Sequence, residues 1–443
     1  MRGRVLLPSL TLLLLAGACA RPPHASLDPA QTLRELQQPA PLPAGDLATA
    51  LTTVAWRDHP DLDLARAELD AARAGIRTAK AIPNPSFGFG ATKAEGVPQP
   101  WTLTYGLAIP VELGGKRRLR IRQAELQVQV AQLAVAETAW RLRMGVRNAL
   151  VDWRQAREDS TLADRSAALW AQLLALQDRR LALGEIAGPE QAATAQEARR
   201  AEAARLAAQE ALRRTQAALA LAAGVPDADL APRLAADPPL DLTPGAAAPP
   251  AQTEALIHRL DVRRVLLDWD RNETTLDQEV AQRVPNLQLG PGYSFDQGVK
   301  KWTLGFTVEL PLFDRRQGPI AEALARRKVI EARLRQTETQ ALSGAGLAEA
   351  RLAAAREALK AQLQALQATQ SRLAVAKRAL ALGGSDRGNL LAAELEALQA
   401  RSLAVEAWAE TARARLAVED AFQKPLDPAE RPYPFQPAPG ARP

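Results

Sequence analysis

Trp101-Thr102-Leu103-Thr104-Tyr105-Gly106-Leu107-Ala108-Ile109 alternates strictly, large apolar side chains on one parity and small or hydroxylated ones on the other. Period two marks a strand whose two faces meet different surroundings. The pattern returns in Trp302-Thr303-Leu304-Gly305-Phe306-Thr307-Val308-Glu309-Leu310. It returns again where Leu287, Leu289, Pro291, Tyr293 and Phe295 alternate with Gln288, Gly290, Gly292 and Ser294. A weaker fourth strand is expected around Ser86 to Thr92, with Phe87 and Phe89 on one face. The expected strands therefore lie near 85–92, 101–110, 286–295 and 302–310. Eight of the eighteen aromatic residues fall in these segments, a concentration that suits aromatics placed at a membrane boundary. Trp101, Tyr105, Tyr293, Phe295, Trp302 and Phe306 are the candidates for that interface. One such strand by itself fits a half-buried soluble sheet better; four in duplicate favour a sheet with one face on lipid.

Four strands cannot close a membrane barrel, for which about eight is the minimum. An open edge in lipid leaves backbone groups unsatisfied. The lipid reading therefore requires several copies, each contributing a sector of a shared barrel about a symmetry axis. Elementary physics permits two, three or more.

Working outward, each strand pair is flanked by long Ala-, Leu-, Gln-, Glu- and Arg-rich stretches poor in proline and glycine. Helices are expected near 46–81, 115–183 and 189–223, and again near 252–283, 317–382 and 388–423. Leu162, Leu169, Leu173 and Leu176 recur at coiled-coil spacing. The longest helices would run about 100 Å at 1.5 Å per residue.

The chain repeats itself. Ala81-Ile82-Pro83-Asn84 returns as Arg283-Val284-Pro285-Asn286, and Ala108-Ile109-Pro110 as Glu309-Leu310-Pro311. Leu181-Ala182-Leu183-Gly184 returns as Leu380-Ala381-Leu382-Gly383, and His59 has a counterpart in His258. A nearly constant offset makes this a duplication of one helix–strand–strand–helix unit. The expected layout is a signal peptide at 1–18, Cys19 and a linker to 45, and a first repeat over 46–224. A Pro/Ala-rich linker follows at 225–251, then a second repeat over 252–424 and a loose Pro-rich tail at 425–443.

Arg2 and Arg4, the apolar run from Val5 to Leu15 and the small residues before Cys19 read as a secretory leader. Ala16-Gly17-Ala18-Cys19 resembles a bacterial lipobox, which implies cleavage and lipidation of Cys19. Ala20 after that cysteine resembles the class sorted to the outer membrane.

Composition narrows the function. One cysteine and three histidines exclude a disulfide framework, a cysteine-rich zinc module and a Cys–His pair in the mature chain. The 56 basic and 50 acidic residues are interspersed, so the formal charge of +6 describes solvated helix faces rather than a nucleic-acid surface. No Ser/His/Asp set, phosphate loop or metal-ligand cluster is present in sequence. Neither catalysis nor a cofactor is expected.

The duplicated plan resembles the TolC family of outer-membrane efflux channels, over nearly all of 46–424. Ile109-Pro110-Val111-Glu112-Leu113-Gly114-Gly115-Lys116-Arg117-Arg118 and Pro311-Leu312-Phe313-Asp314-Arg315-Arg316-Gln317-Gly318 look like that family's strand-to-helix junctions. Together they are most similar to the cobalt–zinc–cadmium type. The resemblance implies a homotrimer with a twelve-strand β-barrel in outer-membrane lipid and a long periplasmic α-helical barrel. It also implies a periplasmic adaptor and an inner-membrane pump, here a proton-driven cation exporter. Leu183, Gly184, Glu185 and Ile186, with Leu382, Gly383, Gly384 and Ser385, resemble the tips that dock the adaptor. Glu190, with Asn389 at the matching place and Asp386 nearby, is the candidate for a periplasmic gate; the alternative for Glu190 is a solvated first-turn glutamate favoured by the helix dipole. The basic run from Lys116 to Arg120 suits anionic headgroups or plain solvation, and His59 and His258 read as structural. Drug, solvent or protein export through the same fold remains open, as does a lipid-anchored scaffold without a pore.

Overall fold

The computed structural model describes residues 25–36, 42–243, 253–427, 430 and 433. It divides into two units, Met1–Pro41 and Leu42–Pro443. In the first, α1 (Pro29–Leu36) is a short helix where an extended linker is expected, started by Asp28 accepting from the Ala30 N–H at 2.9 Å. The leader and Cys19 lie outside the described residues.

The second unit begins with α2 (Leu47–Asp58) and α3 (Pro60–Lys80), which replace the single helix expected over 46–81. Pro60 lacks an N–H and is tolerated only in a first helical turn. His59 supplies the break: its Nδ1 accepts the Asp61 N–H at 3.1 Å and caps α3. The hairpin β1 (Ser86–Lys93) and β2 (Trp101–Val111) follows, then α4 (Lys116–Ala182) and α5 (Gly188–Ala223). The expected inter-repeat linker holds another helix, α6 (Asp227–Ala235).

The second half repeats the order with one change at its start. A 3-10 turn (Thr253–His258) precedes α7 (Leu260–Ala281), so the helix expected over 252–283 is also divided. The cap of α7 is Arg259, not His258, so the two histidines do not share a role. Then come β3 (Leu287–Asp296), β4 (Val299–Val308), α8 (Gln317–Ala381) and α9 (Arg387–Phe422). The 67 residues of α4 and 65 of α8 each run about 100 Å.

The helices pack as antiparallel pairs, α4 with α5 and α8 with α9. Ala341, Ala345, Ala348, Leu352, Ala355 and Leu359 of α8 are all buried, at steps alternating between four and three. That is a heptad seam. Its alanines let α9 come close enough for the Thr411 hydroxyl to donate to the Ala355 carbonyl at 3.1 Å. On α4, Val128, Ala131, Val135, Ala139 and Leu142 close over Leu62, Ala65 and Leu69 of α3. α4 also touches α2, α7 and α9, and so joins the two halves.

The inter-repeat linker and the tail expected to be loose are both pinned at described residues. Asp237, buried just beyond α6, takes Arg154 at 2.8 Å and Arg157 at 3.1 Å from α4. Leu242 then packs on Leu366, Ala400 and Ala404, so the linker crosses from α4 to the α8–α9 pair. In the tail, Glu430 takes Arg143 at 2.8 Å and Arg147 at 2.7 Å. Tyr433 stands edge-on to Trp56 with ring centroids 5.5 Å apart.

Candidate functional site

The strands form one antiparallel sheet in the order β1-β2-β3-β4, so the two duplicated hairpins join through β2 and β3. Phe89 stands opposite Tyr105, Tyr105 opposite Tyr293, and Tyr293 opposite Trp302. Their ring centroids are 5.3, 6.2 and 4.8 Å apart, a continuous aromatic row across four strands. The same register aligns Leu107 with Phe87, and Leu289 with both Ile109 and Phe306. All four alternating apolar sets therefore share one face. They are least covered on β4, where Trp302 is 83% exposed, Leu304 80% and Phe306 73%, and half-buried along much of β2 and β3. Of the six candidate interface aromatics, Tyr105, Tyr293 and Trp302 fall in the row. Phe306 lies at another height, Phe295 opposite Leu103 and Lys300, and Trp101 at the hairpin end opposite Lys93. Phe89 completes the row; only the register could have shown that.

The other face carries small groups. Gly88, Gly106 and Gly292 are in register, as are Gly290 and Gly305. A Cβ at Gly292 would lie 2.7 Å from Thr303 Oγ1 and 3.3 Å from the Tyr105 carbonyl oxygen. β4 begins and ends earlier than the expected 302–310. Gln297 and Gly298, with φ of 48° and 93°, make a two-residue turn that starts β4 at Val299. At the other end the Leu312 N–H donates to the Leu310 carbonyl at 2.8 Å, a tight turn that ends the extended run before Pro311. β1 and β4 are the sheet's two edges.

The joint between sheet and helices explains the Glu-Leu-Gly-Gly-Lys-Arg run. Gly114 and Gly115 both take positive φ, and a Cβ at Gly114 would lie 3.0 Å from the Ala281 carbonyl oxygen. Lys116 Nζ reaches across to the second half, 2.7 Å from the Val284 carbonyl and 2.7 Å from Asn286 Oδ1. Arg117 donates to the Lys80 carbonyl at 2.8 Å, and Arg120 to Ala79 and Ala81 at 3.0 Å each. Arg120 also holds Glu112 at 2.6 Å, and that hydrogen bond keeps the Glu112 carboxyl below its usual range. Three of the basic side chains thus cap carbonyls at the end of α3 and in the Pro-Asn loop.

At the far end of each helical hairpin the two turns match. Gly184 and Gly383 have φ of 71° and 74°. The Glu185 N–H returns to the Arg180 carbonyl at 2.8 Å and the Gly384 N–H to Ala379 at 2.9 Å, the Schellman closure. Leu183, 74% exposed, and Leu382, 87% exposed, precede those glycines. Arg387 donates to Gln172 at 3.0 Å and ties the second tip to α4. Ile186 is half-buried, while Glu185 is exposed and 3.4 Å from Arg180.

Asp386 Oδ1 accepts the Asn389 N–H at 2.7 Å and caps α9, and Asn389 Nδ2 lies 3.4 Å from Ser385 Oγ. Glu190 is exposed in the first turn of α5, and among the described residues its carboxylate has no bond to either. No group of three or more His, Cys, Asp or Glu that could hold a metal ion occurs among the described residues. The sequence gives no sign of the most buried polar cluster. Arg143 of α4 is fully enclosed, 2.5 Å from Glu419 and 2.8 Å from Glu430, with its guanidinium 4.9 Å from the Trp140 ring.

Among curated relatives, the chain is 29% identical over 282 residues to the cobalt-zinc-cadmium resistance protein CzcC of Cupriavidus metallidurans. That alignment spans 63% of this chain and 66% of the relative, just under two thirds of its length. The fold resembles that of the outer membrane protein VceC of Vibrio cholerae, with a TM-score of 0.67, 22% identity, and coverage of 86% of this chain and 97% of that one. It also resembles the Campylobacter jejuni CmeC outer membrane channel, with a TM-score of 0.69, 15% identity and 85% of each chain covered. At such identities the structural likeness concerns the fold. The family match falls on both halves of the duplication, at residues 53–225 and 252–422, and the chain belongs to the outer membrane efflux protein family.

Proposed function

We propose that this chain is the outer-membrane channel of a tripartite efflux system, a passive exit duct whose cargo is heavy-metal cations. The single observation that carries this is the four-stranded sheet with one face apolar up to the lysines at its hairpin end, and two open edges. Such a sheet is stable in lipid only when its edges are paired. Three copies, β4 of each against β1 of the next, make a twelve-strand barrel with the small-residue face inside. The paired helices then line a periplasmic barrel ending at the two tips. Leu183 and Leu382, each before a sharply turned glycine, are the contacts offered to a periplasmic adaptor, which links the duct to a proton-driven cation exporter. Cys19, lipidated, adds a second hold on the membrane. The family is one of export ducts rather than enzymes, and no catalytic role is assigned here.

The cargo rests on the likeness to CzcC. A clean deletion strain is expected to lose tolerance to one group among zinc, cobalt, cadmium, nickel, copper and silver, with dyes, detergents and antibiotics tolerated as before. Broad drug sensitivity with normal metal tolerance would move the cargo to drugs. Absence of conductance in planar bilayers would leave only a lipid-anchored scaffold. For the gate, three copies of Glu190 form a carboxylate ring that favours cations. Glu190→Gln is expected to weaken cation preference in single-channel records; unchanged preference returns Glu190 to a solvated first turn. Loss of palmitate-analogue labelling in Cys19→Ser tests the anchor.

A further inference from the structure

The two ends of the sheet differ in charge. At the hairpin end, Lys93, Lys300 and Lys301 stand beside Glu95 and Asp296, and Lys301 pairs with Asp296 at 2.7 Å. At the helix end Glu112 and Glu279 are taken by Arg120 and Arg316, Asp314 accepts the Arg316 N–H at 2.7 Å, and Glu309 is exposed just past β4, four carboxylates against a larger number of cations. Lys116, Arg117 and Arg283 donate to backbone carbonyls, which satisfies their hydrogens and leaves their charge. Arg118, Arg122 and Arg315 are exposed, and their side chains make no ion pair or hydrogen bond among the described residues. Arg118 and Arg122 are one turn apart on the first two turns of α4.

Beside this excess of cation apolar side chains continue past the strand ends. Leu310 keeps the parity of Phe306 and Val308, and Leu312 and Phe313 follow the turn that ends the extended run. Ile82 is 71% exposed, Leu310 67%, Leu312 63% and Phe313 95%. A solvated surface accounts for the arginines but not for an uncovered Phe313 among them. A protein partner would have to supply both carboxylates and an apolar patch in a narrow ring. Phospholipid offers both at fixed depth: phosphate above, acyl chain below. The guanidinium fork matches phosphate oxygens.

We propose that the joint between sheet and helices is a collar that binds anionic phospholipid headgroups, with Arg118, Arg122 and Arg315 on the phosphates and Ile82, Leu312 and Phe313 among the first methylenes. This deepens the channel reading and rests on it, because it requires the sheet to lie in lipid. The collar would fix the depth of the barrel and choose the lipids around it.

The test uses the full chain, purified as assembled in detergent and reconstituted in phosphatidylcholine vesicles with trace spin-labelled phosphatidylglycerol or phosphatidylcholine. The wild type is expected to retain phosphatidylglycerol about tenfold over phosphatidylcholine, from roughly fivefold per engaged arginine less screening, and to lose most of that in high salt. Arg118→Gln/Arg122→Gln/Arg315→Gln is expected to bring the two lipids near parity, while Lys300→Gln/Lys301→Gln at the hairpin end keeps the wild-type ratio. Equal retention by the wild type, or a preference that survives the triple substitution, overturns the collar and leaves the channel intact. Loss of the preference when chloride is exchanged for inorganic phosphate at constant ionic strength assigns the arginines to free phosphate and also overturns it. Failure to enter vesicles at all overturns the channel reading, and the collar with it.

Discussion

Arg143 shows how much a single side chain holds. Burial by itself opposes its charge, and hydrogen bonds to Glu430 and Glu419 reverse that effect and raise its pKa. Replacement by methionine would take the close partner from buried Glu419 and leave Glu430 with Arg147 alone, at a cost of about 3–5 kcal/mol. Thermal unfolding of Arg143→Met in detergent should show a large drop, and Glu430→Gln a smaller one, because Glu419 remains. Asp159 behaves oppositely. It lines a groove of about 890 Å³ between α4, α5 and α9, where burial first, and then Glu406 and Glu158, push its pKa up. A raised carboxyl binds its proton more tightly when folded, so stability falls as pH rises from the unfolded-state value, about 3.9, through the folded one. Asp159→Asn should therefore raise the unfolding temperature at pH 7 and change it little below about pH 4.

At the scale of the element, the hairpin tips depend on left-handed backbone. Nothing surrounds Gly184 or Gly383 within 4 Å of a would-be Cβ, so valine there meets no clash and carries only conformational strain. Each Gly→Val change should cost about 1–2 kcal/mol and loosen the last turns of its hairpin, seen as faster amide exchange at the tips. The α8 seam fails for the opposite reason. Ala345, 5% exposed, faces a close neighbour, and Ala345→Leu should destabilise by about 1–3 kcal/mol through overpacking, measurable by urea unfolding.

For the whole molecule the apolar sheet face sets the terms. Leu304→Arg places a charge near the middle of that face, and Trp302→Arg places one in the aromatic row. The first should cost about 2–4 kcal/mol of membrane insertion and the second less, if the row marks a boundary. Partition into vesicles compares them. Light scattering in detergent should give three copies of the 47.6 kDa chain; a monomer would remove the shared barrel.

Much of this architecture was legible along the chain because it is local and repeated. Alternation at Trp101 to Ile109, helical periodicity over runs without proline, and a constant offset between halves each follow from neighbours a few residues apart. Leu-Gly pairs marked both tips for the same reason. Three features needed the folded molecule. The break at His59–Pro60 was written in the sequence as a proline, yet the histidine's part in it is a hydrogen bond that only the bent chain makes. The aromatic row depends on register, which pairs Tyr105 with a residue of the other half. The pinned linker and tail, through Asp237, Leu242, Glu430 and Tyr433, bind partners far along the chain, and composition reports only that such segments are rich in proline. By itself the sequence determined the elements, their duplication and the two-faced strands, since each arises from short-range sterics and periodicity. Tertiary structure alone decided which carbonyls the basic run would cap, which arginine would be buried and which would stay free, because those depend on what lies across from each side chain once distant segments meet.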